Sequence, residues 1–244
     1  LEPSPAAQSQ IWTELEALGA SESDHLKKGR ELHEQLLERD IQLITYGSAA
    51  YPQRLYQDEF APLWIQVVGN AEVLTRPLLG AVGSRDATQL TYQWVQTHLM
   101  EFLSLTQTAT LSGGARGVDQ WVHGVSIRKG LPTVAVIPSG LAQIYPQNFQ
   151  GWLEPILENG GCMVSEFSLL QPMQKHLFHQ RNHLIAALAS KVLLLEGRRR
   201  SGSLITAQRA IALGRELAVI PGHPLENNFA GVLDLVFEGA SPLR

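Results

Sequence analysis

The second two-thirds of the chain alternates, and the alternation limits what it can fold into. Six short apolar runs recur: LLGAV (79–82 at its core), TATLS, TVAVI (133–137), CMVS (162–165), KVLLLE (191–196) and ELAVI (216–220). Each is followed by a longer amphipathic stretch, giving expected helices near 88–105, 118–129, 148–159, 181–188, 203–213 and 229–238. A strand that is apolar on both faces must be covered on both faces. Strands of this kind separated by helices therefore predict a parallel sheet between two helical layers. The expected class is α/β, a Rossmann-like, doubly wound, mostly parallel sheet. A (β/α) barrel needs eight strands, and only six units are present.

The first part of the chain reads differently. Residues 1–10 are rich in Pro, Ser, Ala and Gln, and 11–38 is helical in pattern but broken by GASESD. A short strand at 41–44, then YPQRL and the strand-like LWIQVVGN, lead to Pro77. The expected organisation is a small helical and extended cap over 1–70 and the Rossmann-like unit over 71–244. With 244 residues, 44% of them hydrophobic, one sizeable core is affordable. Cys162 is the only cysteine, which precludes an internal disulfide and fits a reducing compartment, so a cytoplasmic location is expected. No apolar run reaches the ~18 residues of a membrane span, and the start lacks the pattern of a signal peptide. The chain opens on Leu1 rather than Met, as a piece of a longer protein would.

In open α/β sheets ligands bind beyond the carboxyl ends of the strands. The loops expected there are GSR (83–85), SGGARGVD (112–119), PSG (138–140), SEF (165–167), EGRRRSGS (196–203) and PGH (221–223). One glycine-bearing loop is ordinary turn chemistry. A row of them on one edge, three carrying arginine, reads as an anion site. Gly83, Gly113, Gly114, Gly117 and Gly202 let backbone N–H groups approach an oxyanion. Ser84, Ser112, Ser201 and Ser203 add hydroxyl donors, while Arg85, Arg116, Arg181 and the run Arg198, Arg199 and Arg200 add forked contacts.

Net charge is −4, which by itself argues against a nucleic-acid partner. Its distribution argues the other way. Residues 1–70 hold 11 acidic and 5 basic residues, whereas 175–215 holds Lys175, Arg181, Lys191, Arg198, Arg199, Arg200, Arg209 and Arg215 against Glu196 alone. A local basic face outweighs the total because screening acts over about 8 Å at physiological salt. A merely solvated surface is the other reading of that stretch.

Several chemistries lack their motifs. G-x-G-x-x-G does not follow the first strand of the alternation, G-x-x-x-x-G-K-[ST] and G-x-S-x-G do not occur, and no acidic pair stands beside these loops for Mg²⁺. His176, His179 and His183 share helical spacing, but no acidic or Cys ligand accompanies them, so no metal is expected. Asp119 and Glu166 are candidate catalytic carboxylates, but Asp119 is rather expected to order its loop or cap the helix and Glu166 to pair with an arginine. Tyr92, Trp94 and Trp121 fit helix-core positions. Phe178, in a polar and basic loop, is either a platform for a stacked base or an anchor for that loop.

From 46 to 240 the chain resembles the DNA-processing protein A (DprA, or Smf) family. The resemblance is carried by YPQRL, LWIQVVGN, the AVGSR run, SGGARGVDQWVH, GLAQIYP, GGCMVSEF, FHQRN and RSGSLITAQRAIALGRELAVIPG. It implies a Rossmann-like domain that binds and protects incoming single-stranded DNA and helps load the RecA recombinase in natural transformation. It also implies a dimer, no enzymatic activity, no cofactor and no membrane. Carried over by motif, the phosphate pocket falls on the loop of Arg85, on SGGARGVD, and on Lys175, Phe178, Arg181 and Asn182, bordered by Arg200–Ser203. Where the family has Phe-Pro-x-Arg-Asn-Arg, this chain has FHQRNH, so His179 replaces a proline and His183 an arginine. The winged-helix-like module of many members is not in the sequence, which ends at Arg244, and the N-terminal module reads as shortened. The alternative is a phosphoribohydrolase of the LOG kind on a related fold, but its Pro-Gly-Gly-x-Gly-Thr loop is missing; only PGH is found.

Overall fold

In the computed structural model, which describes residues 22–243, all six apolar runs are strands of one sheet. They are β3 (Leu78–Val82), β4 (Ala109–Ser112), β5 (Thr133–Val136), β6 (Cys162–Ser165), β7 (Lys191–Leu194) and β8 (Glu216–Val219). The sheet has nine strands in the order β1-β2-β6-β5-β4-β3-β7-β8-β9, and every pair from β6 through to β9 is parallel. The expected doubly wound class is therefore the observed one.

Two strands lie where the sequence reading had placed a cap ahead of the main fold. β1 (Ile41–Thr45) and β2 (Trp64–Gly69) form one edge of the same sheet, β2 running antiparallel to both β1 and β6. Ile65 to Val68 are all buried, because β2 is covered on both faces. A run buried on both faces carries no mark of its direction, since periodicity reports cover and not partners. At the other edge, β9 (Ser241–Pro242) pairs with β8.

The helices are α1 (Glu22–Leu37), α2 (Gln89–Trp94), α3 (Met100–Thr106), α4 (Val118–Arg128), α5 (Leu153–Glu158), α6 (Leu177–Leu188), α7 (Gly202–Ala212) and α8 (Ala230–Phe237). A π turn over Val95–Leu99 joins α2 to α3, so the expected helix at 88–105 is one continuous rod. The expected helix at 148–159 is a 3-10 turn (Gln147–Trp152) followed by α5. α6 begins four residues earlier than expected, which brings Phe178 into its first turn. Of the first expected helical stretch, 11–21 lies outside the described residues. One large apolar cluster runs across the sheet to α6, α7 and α8, and two smaller ones lie under α1 with α5 and under α2 to α4.

Chain direction along the sheet fixes where a crevice must form. From β3 the chain steps to β4, β5 and β6; from β7, on the other side of β3, it steps to β8 and β9. The loops leaving β3 and β7 therefore part from one another, and the gap between them is the switch point of the fold.

Candidate nucleic-acid interface

A cavity of about 360 Å³ occupies that gap. The turn after β3 (Gly83, Ser84, Arg85), the loop after β7 with the first turn of α7 (Arg198, Ser201, Gly202, Ser203), and α6 (Phe178, Arg181, Asn182) line it. Val82, Asp86, Ala115, Asp119 and Thr206 complete the wall.

Arg181 is its most constrained cation. Its side chain is buried, 3.7 Å from the buried carboxylate of Asp119. Burial pushes the Asp119 carboxyl up, while Arg181 and Arg85 pull it back. Asp119 also accepts a hydrogen bond from the Ala115 N–H at 3.2 Å, so it orders the loop as expected. Arg181 Nε is buried without a hydrogen-bond partner among the described residues. A buried guanidinium with a spare N–H beside an open cavity suits an incoming anionic acceptor.

Phe178 is half-buried between two cations. The guanidinium carbons of Arg85 and Arg181 lie 4.7 and 5.9 Å from its ring centroid, within cation–π range. Tyr145 meets the ring edge-on at 5.9 Å. Beyond Phe178 a second cavity, of about 240 Å³, shares Arg85, Ala115, Phe178 and Arg181 with the first and adds Gly113, Arg116, Pro138, Tyr145, Pro146 and Asn148. The two readings of Phe178 thus meet in one position: it anchors α6 and also presents a ring to both cavities.

Two glycines of SGGARGVD are required by close approach. A Cβ built on Gly113 falls 1.2 Å from Arg181 Nη1, so the guanidinium occupies the space a side chain would need. Gly117 has φ +84°, and its Cβ would meet the carbonyl oxygens of Ser84 and Arg85 at 2.5 and 2.6 Å. The loop after β4 therefore lies directly against the turn after β3. Ser112 is buried and spends its hydroxyl on the Ala81 carbonyl at 2.7 Å, and Gly114 is buried against the Phe149 ring. Both support the loop from behind the cavity.

At the N-terminus of α7, Ser201 and Ser203 share a hydroxyl contact of 2.9 Å, and Asn182 donates to the Gly202 carbonyl at 3.1 Å. Ser201, Gly202 and Ser203 of that turn line the cavity, and a helix N-terminus carries the positive end of the helix dipole. Arg116 pairs with Asp86 at the rim. Lys175 and Arg200 are exposed and outside both cavities, Arg200 standing at φ +61° in the turn before α7. Of the Arg198–Arg200 run expected to make forked contacts, Arg198 is the member that lines the cavity. Tyr145 and Pro146 of the second cavity belong to GLAQIYP, a segment without a role in the sequence reading; only the fold brings them beside Phe178.

Two expectations are corrected. Glu166 does not pair with an arginine: Oε1 is buried without a partner, and burial together with Asp58 raises its carboxyl to about 7. The basic stretch 175–215 is not one basic face. Arg199 pairs with Asp234, Arg209 with Asp58, and Lys191 with Glu216, while Arg215 bonds Gln57 and the carbonyls of Arg54 and Ala187. His183 lies on the other face of α6, near Phe60, with its imidazole pulled down by burial and by Arg209. It sits away from the cavity at the switch point.

The family model for DNA recombination-mediator protein A matches residues 42–244. The chain belongs to this family. It is 35% identical to protein Smf of Escherichia coli over 76% of its own length and 49% of that protein, and 31% identical to the DNA processing protein DprA of Bacillus subtilis over 84% and 69%. Against those two members it spans about half and about two-thirds of the full length. The structure of DNA processing protein A from Streptococcus pneumoniae superposes with a TM-score of 0.79 at 30% identity, covering 86% of this chain and 74% of that one. The structure of the Helicobacter pylori family member, which describes that protein's single-stranded DNA binding mode, superposes at 0.72 with 28% identity, covering 82% and 90%. Among the described residues no helix is long and apolar enough to cross a membrane, and no group of metal-ligating side chains converges.

Proposed function

We propose that the chain binds single-stranded DNA by its sugar–phosphate backbone in the cavity at the switch point. In the cytoplasm, as a homodimer, it would protect that strand and help deliver it to the RecA recombinase, catalysing no reaction itself. One observation carries the reading. Three guanidinium groups (Arg85, Arg181 and Arg198) and the N-terminus of α7 converge on one cavity, whose acidic residues Asp86 and Asp119 are already paired with arginines. Such a site takes an anionic backbone whatever the base. Family membership and the single-stranded DNA binding of the Helicobacter pylori relative support it.

Backbone binding releases counterions, so log K falls with log salt at about −0.7 per phosphate contacted on a single strand. Fluorescence anisotropy with labelled oligo-dT, at low and moderate salt and with duplex competitor, tests the reading. Binding that weakens with salt and resists duplex is expected. No binding at low salt overturns it. RecA filament formation on oligonucleotides coated with a single-strand-binding protein, with and without the chain, tests delivery.

A further inference from the structure

Asn228, in the loop before α8, lies outside the cavity yet touches both loops that form it. Its Oδ1 accepts from Arg198 Nε at 2.7 Å. Its Nδ2 donates to the Asp86 carbonyl at 3.1 Å and to Glu196 Oε2 at 3.0 Å. Its own carbonyl accepts from the Gly197 N–H at 2.9 Å. The partners settle which way the amide points, because a guanidinium only donates and a carboxylate or carbonyl only accepts. Glu196 is fully buried, and its Oε1 accepts from the N–H and hydroxyl of Thr88, at 2.8 and 2.7 Å. Thr88 ends the turn that carries Arg85 and caps α2. The Glu196–Asn228 pair therefore joins the turn after β3 to the loop after β7 across the mouth of the switch point.

We propose that Asn228, with Glu196 behind it, is the positioning residue of the phosphate site, fixing Arg198 relative to the turn of Arg85. This rests on the single-stranded DNA reading above. No other side chain bonds to both loops and to a cavity-lining cation among the described residues.

The test uses oligo-dT anisotropy across a salt series, with thermal melting alongside. Asn228→Ala is expected to weaken binding about tenfold, on the scale of hydrogen bonds to charged groups, and to make the salt slope shallower by about one phosphate contact. In an Arg198→Ala background the same change should leave the slope unmoved. Asn228→Asp keeps an acceptor for Arg198 but sets a carboxylate against Glu196 and the Asp86 carbonyl. Combining it with Glu196→Gln returns a donor to that junction and is expected to recover part of the lost affinity. Full additivity of Asn228→Ala and Arg198→Ala, or a fall in melting temperature with the slope and affinity unchanged, would overturn the proposal. Failure of the unaltered chain to bind oligo-dT would instead remove the reading beneath it. Hydrogen exchange supplies a DNA-free check: Asn228→Ala should deprotect the Thr88 amide, and unchanged protection there contradicts the linkage.

Discussion

At position 113 a methyl group has nowhere to go. Arg181 Nη1 fills the space and Asp119 Oδ2 stands 2.8 Å from where the Cβ would be. Gly113→Ala must push a buried guanidinium off its buried carboxylate, and breaking such a pair costs about 3–5 kcal/mol. Urea titration should show a loss of that order, together with loss of oligonucleotide binding. Gly202→Ala is the contrast, since its Cβ would come no nearer than 3.3 Å to Asn182 Nδ2, in the first turn of a helix. Alanine is favoured there, and stability should stay within about 0.5 kcal/mol or rise. The sequence exposes the glycines of SGGARGVD as a backbone-approach loop. It does not say that the group approaching Gly113 is the protein's own arginine, because Arg181 arrives from a helix two strands later.

At the scale of elements, α6 works with two faces. Phe178, Arg181 and Asn182 face the site, and Gln180, His183, Leu184 and Ala187 face a smaller cavity with Asp58, Phe60 and Glu166. The segment bearing Asp58 is clipped to α7 by Arg209, whose side chain is 12% exposed against 3% for Asp58. Asp58→Ala leaves the largely buried Arg209 only the exposed Glu59, 3.6 Å away, and should cost about 3 kcal/mol in chemical denaturation. Glu216→Ala removes the pair with Lys191, 61% and 63% exposed, and should cost less than about 1 kcal/mol. A small effect at Asp58 would show that the clip is dispensable. The six parallel strands and their helices are legible in the sequence because each is a local pattern of cover. The antiparallel edge of β1 and β2 is not, since strand neighbours are chosen by contacts far apart in the chain. Likewise, charge counting finds eight cations in 175–215, but only the fold shows which of them are spent on Asp58, Asp234 and Glu216.

For the whole molecule, buried His123 and half-buried Glu166 give stability opposite pH slopes. Burial lowers His123 from 6.5 to about 3. The unfolded chain therefore takes up a proton that the folded chain refuses, and stability is lost as pH falls below about 6.5. Glu166 is raised from 4.5 to about 7. Its favourable contribution is complete below about 4.5 and is lost as pH rises through about 7. Glu166→Gln removes that loss, so the variant should gain on the unaltered chain between pH 4.5 and 7, by on the order of 3 kcal/mol in full. Melting temperatures across that range check it, and a constant difference would contradict it. Neither group is readable from the sequence alone, where His123 sits within a helix pattern and Glu166 follows a strand like any other crest residue.

The most direct test of the phosphate site is the salt dependence of oligo-dT affinity in Arg85→Ala beside the unaltered chain. Arg85 is exposed, so its removal leaves the core intact. A site that holds backbone phosphate predicts weaker binding to every homopolymer and a shallower salt slope by about one contact. Affinity and slope equal to those of the unaltered chain would contradict it and place the strand elsewhere on the molecule.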